Sequence, residues 1–150
     1  MVRRDLDTVV AIEGMSFGSP WRRATYARAV TGPNHSFLVA ELDGRSVVGY
    51  AGFWVEGKQA HIAKLAVHPD YRRRGIGSVL LEHLLDQVRR LGLPRAYLEV
   101  RRSNVVAQEL YRRFGFRFER VQARAYPNNG EDAFVFARDD LLDVGPSAGR

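Results

Sequence analysis

Residues 69–81 read PDYRRRGIGSVLL, with Arg72, Arg73 and Arg74 running into Gly-Ile-Gly and then into an apolar helix pattern. A run of like charge is ordinarily a solvated face. This one stands where a helix begins, and the first N–H groups of a helix point outward without an intrahelical partner. With the helix dipole they favour an anion. Gly75 and Gly77 have no Cβ, so a ligand can approach the backbone closely. A diphosphate matches such a cradle, with arginine to spare for a further phosphate. A basic loop whose glycines only make the turn fits the same residues equally well. Two phosphate motifs are excluded. Ser78 follows Gly77 without the lysine of a P-loop, and Leu80 stands where a dinucleotide fingerprint needs its third glycine.

Two further side chains have types suited to proton transfer. Glu99 lies in AYLEV between Leu98 and Val100. A carboxylate in such a strand is costly unless it faces a polar cleft, and burial there would raise its pKa. The alternative is a strand-end glutamate paired with Arg95, Arg101 or Arg102. Tyr111 lies in ELYRRFGF. Its phenol is protonated at neutral pH and can donate; it can equally be a core aromatic beside Phe114 and Phe116. Asn104 is a good N-cap for that helix, and Asn104, Ala107 and Tyr111 fall on one face, since seven residues are close to two turns. His61 can relay a proton, although a lone strand histidine is more often structural. His35, His68 and His83 have no metal-ligand spacing with it.

The whole chain bounds these readings. At 150 residues it fits one domain, expected over 1–142, with a small Pro/Gly-containing flexible tail at 143–150. It has no cysteine, hence no disulfide, thiol nucleophile or Cys-based zinc site. The net charge of +6 points to an anionic partner without choosing one. Lys58 and Lys64 are the only lysines among many arginines, so composition bias accounts for the charge as well. No apolar run approaches the roughly 18 residues of a membrane span, and the start, MVRRDLDTVV, lacks the apolar region of a signal peptide. A cytoplasmic, monomeric protein is expected.

The elements that must position these residues follow from periodicity. A helix carries Leu6, Val9, Val10 and Ile12, capped by Asp5 or Asp7 and broken at Gly18-Ser19-Pro20. A second starts near Trp21 and ends at Gly32-Pro33-Asn34. Strands at 36–42, 46–56 and 60–67 are joined by Asp43-Gly44 and Gly57-Lys58 as a meander. Ile76, Val79, Leu80, Leu84, Val88 and Leu91 form a helical stripe ended by Gly92. A strand at 96–100, a helix from Asn104 to Phe114, and strands at 116–124 and 132–138 complete the chain. The fold class is α/β, order αα-βββ-α-β-α-ββ: a mixed, mostly antiparallel sheet with one central parallel β-α-β crossover.

This order and several motifs resemble the GCN5-related N-acetyltransferase (GNAT) family, whose cofactor motif is [QR]-x-x-G-x-[GA]. Here that is Arg72 to Gly77, after IAKLAV. SPW at 19–21, LAVHPDYRRRGIG, YLEVRRSN, ELYRRFGF and AYPNNGEDAFVF resemble the RimI type, the ribosomal-protein-alanine N-acetyltransferases. The resemblance covers residue 2 to about 141. It implies acetyl-CoA as cosubstrate and no metal. Leu65, Ala66 and Val67 would pair with the pantetheine arm through their backbone, the Val67 N–H polarising the thioester carbonyl. Arg72, Arg73, Arg74, Gly75, Ile76, Gly77 and Ser78 would hold the phosphates, and Asn104 and Ala107 the rest of the cofactor. Glu99 would be the base and Tyr111 the acid. Trp21, Tyr126 and Glu131 would meet the acceptor, a protein N-terminus. The type often carries two tyrosines before the proline of YP; here the first is Ala125.

The resemblance thus implies acetyl transfer to a protein N-terminal amine, a ribosomal protein's alanine, by direct attack in a ternary complex. A GNAT enzyme acting on a small-molecule amine or a protein lysine shares most of these features. A non-catalytic basic module binding CoA or RNA is the alternative of another class. The chain lacks the basic-aromatic interleaving of an RNA-recognition surface, so nucleic acid is not an expected partner.

Overall fold

The structure, a computed structural model, describes residues 1–17 and 20–143. The expected break at Gly18-Ser19 and the tail from 144 lie outside them. The chain forms two compact units. One comprises Met1–Val55 and Ile62–Leu84; the other comprises Glu56–His61 and Leu85 onward.

In the first unit, a short 3-10 turn, Arg3–Asp5, leads directly into α1, Leu6–Ser16. Asp5 is therefore already helical in backbone and does not cap with its side chain. Its carboxylate accepts from the Val2 N–H at 2.8 Å instead. Asp7, the other candidate cap, pairs with Arg23 at 3.0 Å. α1 buries Leu6, Val9, Ile12 and Glu13. α2, Arg23–Thr31, begins two residues after Trp21 and buries Tyr26 and Ala29. β1, His35–Leu42, pairs antiparallel with β2, Ser46–Glu56. Asp43 and Gly44 both have positive φ, 55° and 66°, in the three-residue connection across which Leu42 pairs with Ser46. β3, Gln59–Val67, follows the turn at Gly57. The core of this unit is Leu6, Val9, Ile12, Tyr26, Tyr50 and Ala66, with Phe17, Trp21 and Phe37 packed against it.

β3 and α3, Ile76–Arg90, run through both units. α3 buries Leu80, Leu81, Leu84, Leu85 and Val88. Val79 and Leu91, expected on its apolar stripe, are more than half exposed. The buried face is centred a little further round the helix than the stripe implied, and it takes in Leu81 and Leu85.

In the second unit, β4, Arg95–Arg101, pairs in parallel with the start of β3 over Gln59↔Arg95, Ala60↔Ala96 and His61↔Tyr97. α4, Val105–Arg113, is followed by β5, Arg117–Tyr126, and β6, Glu131–Arg138. β6 lies between β4 and β5 and is antiparallel to both. The strand order is β1-β2-β3-β4-β6-β5, with β3–β4 the one parallel pair among the described residues. Within β4, Ala96, Leu98 and Val100 are buried, so Arg95, Tyr97, Glu99 and Arg101 share the opposite, more open face. No described helix is long and apolar enough to cross a membrane.

Candidate active site

The arginine-glycine loop joins β3 to α3. Arg72, Arg73, Arg74 and Gly75 are all exposed. Their roles are not equivalent. Arg72 folds back: its Nε donates to the Val67 carbonyl at 2.9 Å and its Nη2 to Ser16 Oγ at 3.3 Å. It ties the loop to the end of β3. Arg73 holds a left-handed backbone, φ 65°, which is uncommon outside glycine. The Arg74 guanidinium lies 5.1 Å from the Tyr71 ring centroid. Gly75 has φ 79°, and a Cβ there would meet nothing within 4 Å. The backbone is thus open where α3 presents its first N–H groups.

Glu99 is not buried as expected for a carboxylate in an apolar strand. It occupies the open face of β4, and its side chain is 32% exposed. The side chain it meets is a histidine and not an arginine. Glu99 Oε1 lies 2.6 Å from Nε2 of His61. His61 is placed by the parallel register opposite Tyr97, on which its ring stacks at 4.5 Å and 3°. The other ring nitrogen, Nδ1, lies 3.3 Å from Glu56 Oε2. The Tyr97 hydroxyl donates to Glu56 Oε1 at 2.6 Å. Burial lowers the His61 pKa, but Glu99 and Glu56 outweigh it and the net direction is up.

Tyr111 is buried on α4, its ring 5.9 Å from Phe116. Burial, and secondly the Tyr126 phenol, push its pKa far above the ordinary tyrosine value. Tyr126 in turn is raised by burial, lowered by Arg101, and raised by Glu99 and Glu131. Tyr126 therefore lies within electrostatic reach of the base candidate, Glu99, and of the acid candidate, Tyr111. Asn104 caps α4, its Oδ1 accepting the Ala107 N–H at 3.1 Å. Gln108, buried, donates to the carbonyls of Arg101 and Arg102 and fixes the turn between β4 and α4.

Arg101 gathers the β5–β6 turn. Its guanidinium lies 3.9 Å from the Tyr126 ring centroid, and it donates to Asn128, Asn129 and Glu131. Glu131 also accepts the Ser103 N–H at 2.7 Å. Ser103 first, then Arg101 and Asn129, hold the Glu131 carboxyl down at about 2. A depressed carboxylate stabilises the fold above its ordinary value, 4.5, and loses that contribution as pH falls towards about 2. The stability difference between wild type and Glu131→Gln, followed by Tm from about pH 6 to 2, is therefore expected to shrink across that window.

Trp21 stands in the first unit, stacked on Trp54 at 5.6 Å and 4° and tilted against Tyr26 at 5.1 Å. Its backbone N–H donates at 2.7 Å to Glu13 Oε2. Glu13, fully buried, also accepts from Tyr26 OH at 2.5 Å, from Tyr50 OH, and from Lys64 Nζ at 2.7 Å. The Lys64 ammonium lies 4.2 Å from the Phe17 centroid and 4.7 Å from that of Trp21. Burial pulls the Lys64 pKa down against the opposing pull of Glu13. Sequence reasoning missed this cluster. The available signal was a glutamate on the Leu6–Val9 stripe of α1 and a lysine sharing the Ile62–Ala66 face of β3.

Comparison with known proteins identifies the family. Residues 6–116 match the model of the acetyltransferase (GNAT) family. The chain is 33% identical over 136 residues to the [Ribosomal protein bS18]-alanine N-acetyltransferase of Escherichia coli K12, covering 89% of this chain and 90% of that one. It is 35% identical over 145 residues to the N-alpha-acetyltransferase RimI of Mycobacterium tuberculosis, covering 93% and 89%. The crystal structure of the Escherichia coli ribosomal-protein-S18-alanine N-acetyltransferase superposes with a TM-score of 0.85 at 31% identity, over 99% of this chain and 94% of that one. With its sheet order, its arginine-glycine loop and its β4 carboxylate, the chain belongs to the GNAT family of acetyl-CoA-dependent N-acetyltransferases, among the RimI-type enzymes.

Proposed function

We propose that the protein transfers acetyl from acetyl-CoA to the N-terminal α-amine of a protein, a ribosomal protein beginning with alanine, by direct attack in a ternary complex. The observation that carries this reading is Glu99, an open-face carboxylate within electrostatic reach of Tyr126, which in turn acts on the protonated phenol of Tyr111. The relatives' names supply the acceptor class.

The chemistry requires a neutral amine, a polarised carbonyl, a stabilised oxyanion and a protonated thiolate. An α-amine has a pKa of about 8, so its proton is loosely held near neutral pH. Glu99 takes that proton through Oε2, Oε1 being engaged by His61. The N–H of Val67 polarises the thioester carbonyl, and the backbone of Leu65, Ala66 and Val67 aligns the pantetheine arm as an added strand would. Tyr111 serves the leaving thiolate. A phenol held so far above its ordinary pKa stays protonated, donates a hydrogen bond first, and yields its proton only as thiolate charge develops. The chain has no cysteine, which leaves no thiol to carry the acetyl group covalently.

Arg73, Arg74, Gly75, Ile76, Gly77 and Ser78 hold the diphosphate, while Arg72 braces the loop through Val67 and Ser16. With Asn104 Oδ1 taken by its helix, the Asn104 Nδ2 group and Ala107 are left for the cofactor. Trp21 and Tyr126 contact the acceptor, and Glu131, committed to Ser103 and Arg101, shapes the turn that carries Tyr126.

Arg73→Ser with Arg74→Ser is expected to raise KM for acetyl-CoA about tenfold, with kcat nearly unchanged, because the phosphates are bound equally in ground and transition states. Steady-state kinetics measures this. The acceptor reading is tested with alanine-first peptides carrying free or blocked N-termini and an internal lysine. Acetylation of the free-terminus peptide alone is expected; equal acetylation of the blocked peptide contradicts it.

A further inference from the structure

We infer that Lys64 is a positioning residue for the acceptor: seated on Glu13 against Phe17 and Trp21, its ammonium sets the place of the Trp21 ring. The inference deepens the reading of Trp21 as an acceptor contact and rests on it. All the residues involved lie in the first unit.

A buried ion pair stands here with no part in the reaction. The Glu13 side chain, on α1, is 0% exposed and that of Lys64, on β3, 9%. Two apolar side chains of similar volume would commonly fill such a space as stably. What the ion pair adds is direction. Glu13 Oε1 takes the hydroxyls of Tyr26, on α2, and Tyr50, on β2. Glu13 Oε2 takes Lys64 Nζ and the Trp21 backbone N–H, each at 2.7 Å. The bond to Trp21 matters because Arg22, at the N-cap of α2, makes no capping bond with its side chain. The entry to α2 is therefore anchored from outside that helix, on α1. Glu13 holds the Phe17 N–H as well, through its backbone carbonyl at 3.0 Å.

Lys64 completes the arrangement from the strand side. Its ammonium lies 4.2 Å from the Phe17 ring centroid and 4.7 Å from that of Trp21. One cation thus serves two rings, and its attraction to their faces strengthens as it loses water. The same indole stacks on Trp54 at 5.6 Å and 4°. Glu13 fixes the Trp21 backbone, while Lys64 and Trp54 fix its ring. Trp21 remains only partly buried, so the ring is held in place and still open to a ligand. An apolar side chain at position 64 would fill the space without drawing the indole to one orientation.

Two measurements test this. The chain has two lysines, Lys58 and Lys64, so lysine-labelled protein gives two side-chain NMR signals. The Lys64 signal should stand apart through the ring currents of Phe17 and Trp21. Saturating the CoA-bound wild type with an alanine-first peptide should move it and leave that of Lys58, in an exposed turn, in place. A Lys64 signal that does not move overturns the inference, and this needs no variant to fold.

Steady-state kinetics is then compared in Lys64→Met, Lys64→Arg, Glu13→Gln with Lys64→Met, and Trp21→Leu, each below its Tm. Lys64→Met and the paired variant are expected to raise KM for the peptide about tenfold, leaving kcat and KM for acetyl-CoA within about twofold. Lys64→Arg keeps a cation against the rings and should stay within about threefold of wild type. Unchanged peptide KM in the paired variant, which strands no charge, makes the pair a core contact alone and overturns the inference. So do equal rises in both KM values, the mark of general loosening. A rise in Trp21→Leu without one in the paired variant removes the inference alone. No rise in Trp21→Leu removes the acceptor contact on which it stands.

Discussion

Glu13→Ala is expected to destabilise the protein by about 3–5 kcal/mol, the cost of leaving a buried charge without its partner. The Glu13 side chain is 0% exposed and that of Lys64 9%. Removing the carboxylate strips Lys64 of its ion pair, leaves Tyr26 and Tyr50 without their shared acceptor, and frees the Trp21 backbone N–H. Lys64 is already pulled towards neutrality by burial and would be pulled further. Urea unfolding followed by tryptophan fluorescence measures the loss. Glu13→Gln should cost less, since an amide oxygen can still accept from one of the hydroxyls. In Glu13→Gln combined with Lys64→Met, the two costs should fall well short of their sum, because the second change removes the stranded charge. A change under about 1 kcal/mol in Glu13→Ala contradicts the burial of this pair. The consequence reaches function through Trp21, whose backbone the carboxylate holds at the start of α2.

Glu99→Gln is expected to lower kcat by about 10²- to 10⁴-fold at neutral pH, the range for loss of a positioned base. The amide is nearly isosteric and can still meet His61. The side chain is on the open face of β4, so Tm and KM for acetyl-CoA should scarcely move. The pattern expected is therefore a fall in kcat and kcat/KM together, the mark of an interaction made in the transition state. At high pH, where the amine is already neutral, the defect should narrow. A kcat within about threefold of wild type across the pH range removes Glu99 from the mechanism.

The elements were legible because their signals are local. Asp43-Gly44 makes the left-handed turn it spells, Gly92 takes φ 74° beyond the last turn of α3, and Asn104 caps α4 with its own side chain. The parallel crossover followed from a strand, a helix and a strand in that order. What stayed hidden depends on partners far apart in sequence. His61 and Glu99 are 38 residues apart, and Lys64 and Glu13 51. Nothing around Glu99 says that its partner is a histidine rather than a neighbouring arginine. Arg72, Arg73 and Arg74 look alike in sequence, yet only the folded loop turns Arg72 back to the Val67 carbonyl. Glu131 similarly looks available until Ser103 and Arg101 are seen to hold it. The expected Asp5 cap failed because the preceding 3-10 turn had already made that residue helical. The catalytic assignments came from motif resemblance, since a strand glutamate and a core tyrosine carry no signal of their role.

The most direct measurement is mass spectrometry of unacetylated ribosomal proteins incubated with the purified protein and acetyl-CoA, with the acetylated position mapped by peptide sequencing. One acetyl group on the α-amine of a ribosomal protein beginning with alanine is the expected result. Acetyl groups confined to lysine side chains would contradict N-terminal transfer, the central claim.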